Sequence, residues 1–558
     1  MGTPFFHHLY DSLAQQVGGT FWLAPISLTS LPFLCYFVTT LRFHYVLWAN
    51  SRRTSHKIIP IAPYWFPFLY HAIPMALYPA PFISGLTKKY GISQPFGLRV
   101  GFMKMTLIAD PDHVQQVMKN ARTFTNKPLT LFVLDKLLAA PKTLIARYAS
   151  DDSGLATKPR VGSSVLLDDR IYYFQIRTTH KYLAGVHLHA LNDRYPLTLG
   201  RHLDNLSISP EAWTSFPDLY RFLQLKISPA SVETVFGSKL LDLHPSFMED
   251  FWTFEVNSSR FLRGTPSWLA PGPYRARKNL IETLKSWQAH AAAHFDCTRT
   301  GPSEPEWEPN FGAKLIRTRQ ADMNKMAGMD PDARATEHLG LLFGLNASAL
   351  PPIFWFVYHA FKDPVLLQKL RKEVADSTSP EGRLDMAKLV AQPLAQSVYA
   401  EVLRLYVAIT INRHAEVGSI HFSGYEVKEG GMVMMYSRIG AMNTFAWEQA
   451  GRELAVTKAP LESFCAERFL DEQEVFSMDG LSGIWLPFGG GDRMCPGRYF
   501  AKAEMLATFA LFVERFEVEI LEEGGEYTGP DMGSAPFGAL PPGGKVPFRI
   551  RRRGEVKG

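Results

Sequence analysis

Cysteine is scarce in this chain of 558 residues: Cys35, Cys297, Cys465 and Cys495 are the only four. They form no CxxC pair and no dense framework, which excludes a disulfide scaffold and a cysteine zinc site and fits a reducing compartment. Charge of one sign is not in large excess. Lys and Arg number 59 against 53 Asp and Glu, and the net charge of +6 is a mildly basic, solvated surface. No basic stripe interleaved with aromatics occurs, so a nucleic-acid partner is not expected. No internal repeat is present, and a hydrophobic share of 46% with 20% charged residues is that of a globular chain.

Charge is also missing locally. Residues 21–41 run without an Asp, Glu, Lys or Arg, long enough for a helix that crosses a bilayer. Residues 1–20 hold no Lys or Arg, whereas Arg42, Arg52, Arg53 and Lys57 follow the run. That asymmetry places the C-terminal side in the cytosol. The expected organisation is a lumenal segment 1–20, a transmembrane anchor 21–41, a basic and proline-rich hinge 42–86, and a single catalytic domain 87–558. The six prolines between Ile58 and Leu86 argue against a second clean span.

Beyond the hinge, Leu98–Ala109 reads as short strands and 112–120 as a helix. Residues 140–170 read as a long loop, and Tyr172–Ala190 as a helix. A long apolar helix is expected over Ala335–Phe361 with Asp363-Pro364 as its stop, then helices over Val365–Asp376, Pro393–Leu405 and 498–516. Strands are expected in Glu416–Val433 and Pro536–Arg552. The fold class is therefore mainly α with small β-sheets.

Residues 488–497 read Phe-Gly-Gly-Gly-Asp-Arg-Met-Cys-Pro-Gly. The glycines allow close backbone approach to a flat ligand. Cys495, just before an apolar helix, has its thiolate favoured by the helix N-terminus, and Arg493 adds positive charge. The stretch resembles the cysteine-ligand signature of the cytochrome P-450 family, with Phe488, Gly491, Arg493, Cys495 and Gly497 in the recurring positions.

That resemblance implies a P-450 fold and haem b (iron protoporphyrin IX) with Cys495 as the axial thiolate. It covers roughly residues 60–552. In the same family an E-x-x-R helix and an Arg-Phe pair precede the cysteine. Here these are Glu401-Val402-Leu403-Arg404 and Arg468-Phe469, with Ala466 where the family usually has proline. Glu401, Arg404 and Arg468 are then a structural lock behind the haem. By the same resemblance Arg413 and Arg177 (or Lys181) bind haem propionates, and Phe537, Ala539 and Leu540 face the substrate.

Counting sixteen residues back from Pro364 places Ser348 where the family's distal helix carries threonine, and Ala347 where it carries an acid. Pro351 and Pro352 remove helix hydrogen bonds to the carbonyls of Ala347 and Ser348, so the helix should open there. Asn346, Ser348 and the freed carbonyls are the candidates for holding water and relaying protons. The distal helix is similar to that of fungal members and of the sterol 7-hydroxylase and prostacyclin synthase branch.

The resemblance implies a monooxygenase that inserts one atom of O2 into a lipophilic small molecule: a terpenoid, steroid or polyketide of secondary metabolism. Its partners would be an NADPH–cytochrome reductase and the endoplasmic reticulum membrane, with a single-pass anchor and a cytosolic catalytic domain. Two alternatives stay open: an isomerase or dehydratase that acts on a peroxide without reductase, and a non-catalytic haem sensor.

Overall fold

The computed structural model describes residues 30–101, 103–119, 124–521 and 529–554. In chain order, the helices that bear on the site are α1 (30–51), α2 (Lys127–Lys136), α3 (Lys142–Ser150), α4 (Ile171–Tyr182), α5 (Leu219–Lys226), α6 (Phe247–Val256) and α7 (Lys314–Lys325). They are followed by α8 (Pro331–Ala347), α9 (Leu350–Lys362), α10 (Pro393–Tyr406) and α11 (Arg498–Arg515). The strands are β1 (Phe96–Val100), β2 (Met103–Leu107), β3 (Val407–Ala415), β4 (Met432–Tyr436), β5 (Phe516–Ile520), β6 (Phe537–Ala539) and β7 (Phe548–Arg552). Helices dominate and the sheets are small: a mixed α+β architecture.

The chain divides into two compact units. One comprises the residues up to Thr125 with Ile411–Tyr436; the other comprises Asn126–Thr410 with Ser437 onward. In the first, β1 pairs antiparallel with β2, and β4 runs parallel to β2. In the second, β5 and β7 pair antiparallel, and β6 pairs with the Val407–Ile409 half of β3.

The anchor expected over 21–41 is corrected by the structure. Residues 1–29, which include the expected lumenal segment, lie outside the described residues. The helix that is described from 30 runs on to 51, past Arg42. Among the described residues a single helical stretch is long and apolar enough to cross a membrane, and it is Pro331–Lys362, mostly buried inside the protein. A run without charges gave the wrong limits because the helix is set by backbone hydrogen bonding, which continues through an exposed arginine at no cost.

Two further differences have local causes. The expected loop 140–170 contains α3, whose Leu144 and Tyr148 are buried, so tertiary packing makes up for weak local signals. The expected long helix is interrupted where the proline pair predicts an opening: α8 ends at Ala347 and α9 begins at Leu350 with Pro351 and Pro352 in its first turn. Proline is tolerated there because the first-turn N–H groups have no partner within the helix.

Candidate functional site

The cysteine loop is built by its glycines. Gly489 and Gly491 take φ of 71° and 67°, the left-handed region that side chains disfavour. The turn Gly491–Arg493 closes with Met494 N–H donating to Gly491 O at 3.0 Å. Cys495 N–H then returns to Phe488 O at 3.0 Å. Gly497 caps α11, and Ala501 N–H donates to its carbonyl at 2.8 Å.

Cys495 is exposed, yet protein around the sulfur pushes its thiol pKa up. The backbone N–H groups of Gly497 and Arg498 and the Arg498 charge oppose that rise. The same sulfur and, above all, burial raise the pKa of Tyr399. An accessible sulfur that accepts two backbone N–H groups is what a thiolate ligand needs, since the donors hold its charge without blocking its approach to a metal. A Cβ built on Gly489 would meet nothing within 4 Å, so the loop leaves room for a planar group. These residues fit haem.

Behind the loop, Glu401, Arg404 and Arg468 come together with no exposure of their side chains. Arg404 donates to both carboxylate oxygens of Glu401, at 2.6 and 2.8 Å. Arg468 Nε reaches Glu401 Oε1 at 3.0 Å, as does the Cys465 N–H. Carbonyl oxygens take up the remaining guanidinium donors, among them Ala441 for Arg404 and Ala455, Pro460 and Ser463 for Arg468. Both carboxylate oxygens accept and every guanidinium nitrogen donates, the condition under which buried charge is tolerated.

The other expected residues are scattered. Arg177 pairs with Asp322 at 3.5 Å and stacks over Phe174. From the same end of the chain it is Leu183, just after α4, that comes as close as the sulfur does to a Cβ on Gly497, each at 3.9 Å. Arg413 belongs to the first unit, where its guanidinium meets Asn412 O and Met118 Sδ at 3.0 and 3.8 Å.

Ser348 is exposed at the α8–α9 break and lines a cavity of about 720 Å³ with Phe343, Ala347, Phe537 and Ala539. Asn346 turns away: its amide donates to Leu342 O at 3.1 Å and it is buried. Leu540 is not on the cavity wall either. It is fully buried, its N–H bonded to Tyr406 O and its carbonyl to the Trp355 indole at 2.7 Å. Trp355 in turn stacks flat on Tyr406, centroids 4.0 Å apart.

Sequence reasoning missed the acids on this wall, Asp218, Glu255 and Asp531. Glu255 of α6 lines the cavity, and burial alone pushes its pKa up to about 7. The available signal was Glu255 among the aromatic residues that close α6, after Glu249 and Asp250 in its first turn.

The Cytochrome P-450 family model matches residues 216–547. The chain belongs to the cytochrome P-450 family. "Cytochrome P-450 monooxygenase fsoE" of Humicola fuscoatra is 30% identical, over 93% of this chain and 93% of its own length. "Cytochrome P-450 monooxygenase efuG" of Hormonema carpetanum is 29% identical, over 90% and 92%. "Cholesterol 7-alpha-monooxygenase" of Cricetulus griseus is 26% identical, over 67% and 74%. This P-450 is accordingly a haem-dependent monooxygenase.

Proposed function

We propose that this P-450 inserts one atom of O2 into a terpenoid, steroid or polyketide of secondary metabolism, with electrons from an NADPH–cytochrome reductase. The single observation that carries the reading is the Cys495 loop, an accessible sulfur held by two backbone N–H groups at the head of an apolar helix. Cys495 is the proposed iron ligand, and residues 87–558 are the proposed catalytic domain. Haem bound there supplies dioxygen activation, which a thiolate ligand favours.

The chain's own residues divide the remaining work. Phe488, Gly491 and Arg493 shape the loop against the porphyrin, and Arg413 and Arg177 are proposed for the propionates. Glu401, Arg404 and Arg468 lock the polypeptide behind it. Ser348 holds a proton donor at the mouth of the cavity, where Phe537 and Ala539 present an apolar wall. Asn346, bonded to Leu342 O, contributes by fixing the last turn of α8. The likeness to sterol 7-hydroxylases supports a bulky lipophilic substrate. Exposed Leu31, Phe33, Phe37 and Trp48 on α1 support association with the endoplasmic reticulum membrane, where such a substrate and reductase would be met.

The test is a reduced carbon-monoxide difference spectrum of the full chain, followed by turnover with and without reductase. The long-wavelength thiolate band is expected, and Cys495→Ser should lose both the band and the activity. Product formed only with reductase and NADPH supports oxygenation; product formed equally without them supports rearrangement of a peroxide.

A further inference from the structure

A second cavity, of about 450 Å³, lies among α2, α4, α7 and α8. One side is aliphatic, from Leu129, Val133, Leu134, Leu138, Ile176 and Leu341. The other end is polar and buried. Arg319 of α7 is only 8% exposed. One guanidinium nitrogen donates to Glu337 Oε2 at 3.3 Å, while its buried Nε has no hydrogen-bond partner among the described residues.

The neighbours of Arg319 are bonded among themselves. Glu337 accepts from the Tyr148 hydroxyl at 2.8 Å and from the Gln175 amide, and Gln175 also reaches Tyr148. The Thr336 hydroxyl donates to Asp332 O at 2.9 Å. Arg319 lines this cavity together with Asn126, Thr130 and Thr179, and its guanidinium carries more donors than the one that Glu337 accepts; a buried unmade donor costs free energy until something accepts from it.

Charge selects the acceptor. Arg319 and Glu337 already neutralise each other, so a carboxylate entering here would be a second buried negative charge without a partner. A ketone or hydroxyl oxygen takes the hydrogen bond without that penalty.

Geometry selects the shape. Gly340, Gly344 and Ser348 recur every four residues, one stripe along α8. Gly340 lines this cavity and Ser348 lines the larger one. A Cβ on Gly344 would meet nothing within 4 Å, and one on Gly340 would lie 3.3 Å from Leu138 Cδ1. From Glu337 to Ser348 the helix rises about 16 Å.

We propose that Arg319 is a specificity-determining anchor: it donates to a neutral ketone or hydroxyl oxygen at one end of an elongated apolar substrate whose far end lies beside Ser348. The fate of the far end rests on the oxygenase reading above; the anchoring does not.

Full-length holoprotein is titrated with 5α-cholestan-3-one, 5α-cholestane and 5α-cholestane-3-carboxylate from cyclodextrin, following haem absorbance and tryptophan fluorescence together. The ketone should bind at least about tenfold more tightly than the hydrocarbon or the acid. Arg319→Leu should bring the ketone down to the hydrocarbon's affinity, and Arg319→Lys should restore part of the difference. Equal affinities in the parent protein, or a ketone preference that survives Arg319→Leu, would overturn the proposal. Should Arg319→Leu fail to hold haem, Gly340→Leu fills the same cavity from α8. It should weaken the ketone about tenfold or more with the haem spectrum unchanged, and unaltered affinity would overturn the proposal equally. A preserved ketone preference with no product under reductase would count against the oxygenase reading and leave the anchor in place.

Discussion

At the α8–α9 break a buried methyl, Ala347, stands beside an exposed hydroxyl, Ser348. A hydroxyl can pass a proton but cannot generate one, so the chain must draw protons from water or from another acid. Glu255 lines the same cavity and has a pKa near 7, which leaves it partly protonated at neutral pH. Ser348→Ala should therefore keep NADPH oxidation going while product per NADPH falls on the order of a hundredfold, the lower edge of what a positioned proton donor contributes. Measuring NADPH, peroxide and product in one reaction checks this. Unchanged coupling would remove Ser348 from proton delivery.

Among the elements, α10 is tied to the 459–469 segment by one carboxylate. Glu401 serves Arg404 on its own helix and Arg468 on the segment, so Glu401→Gln leaves two guanidinium groups buried without their counter-charge. The expected loss is about 3–5 kcal/mol, read as a lowered unfolding midpoint together with lost haem. Glu401 and Arg404 were legible in the sequence because they are three residues apart on one helix, and Cys495 because its glycines and proline are its neighbours. Arg319 and Glu337 were not, since they sit on different helices and the other partners of Glu337, Tyr148 and Gln175, come from elements well over a hundred residues away. The same holds for α3: the local signals within 142–150 are weak, and distant partners hold it, Tyr148 against Glu337 and Arg147 against Asp169. Helix limits near prolines were legible to a few residues, whereas the break at Ser348 showed only as the proline pair after it. Asn346 bonds within its own helix and the Leu540 carbonyl to Trp355; spacing gives position along an element and not the rotation that decides which way a side chain faces.

Across the whole molecule, buried acids set the response to pH. Glu504 of α11 is buried, bonded to Ser231, and its pKa is pushed up from 4.5 to about 7 by burial. A folded-state pKa above the unfolded value means the folded chain holds the extra proton between those two values, so stability falls as pH rises through that window. Glu504→Gln should leave the midpoint at pH 5 unchanged and raise stability at pH 8 by on the order of 1–3 kcal/mol. Thermal unfolding at the two pH values decides it, and an equal shift at both would show that the proton is not the cause.

The indole of Trp355 has a wider consequence. By holding the carbonyl of Leu540, it ties the strand that carries Phe537 and Ala539 to the helix that follows the break. Selectivity is thus adjustable from behind: a smaller ring at 355 would let that strand drift while every cavity-facing side chain stayed the same. Two enzymes with identical linings but different supports need not oxidise the same molecule.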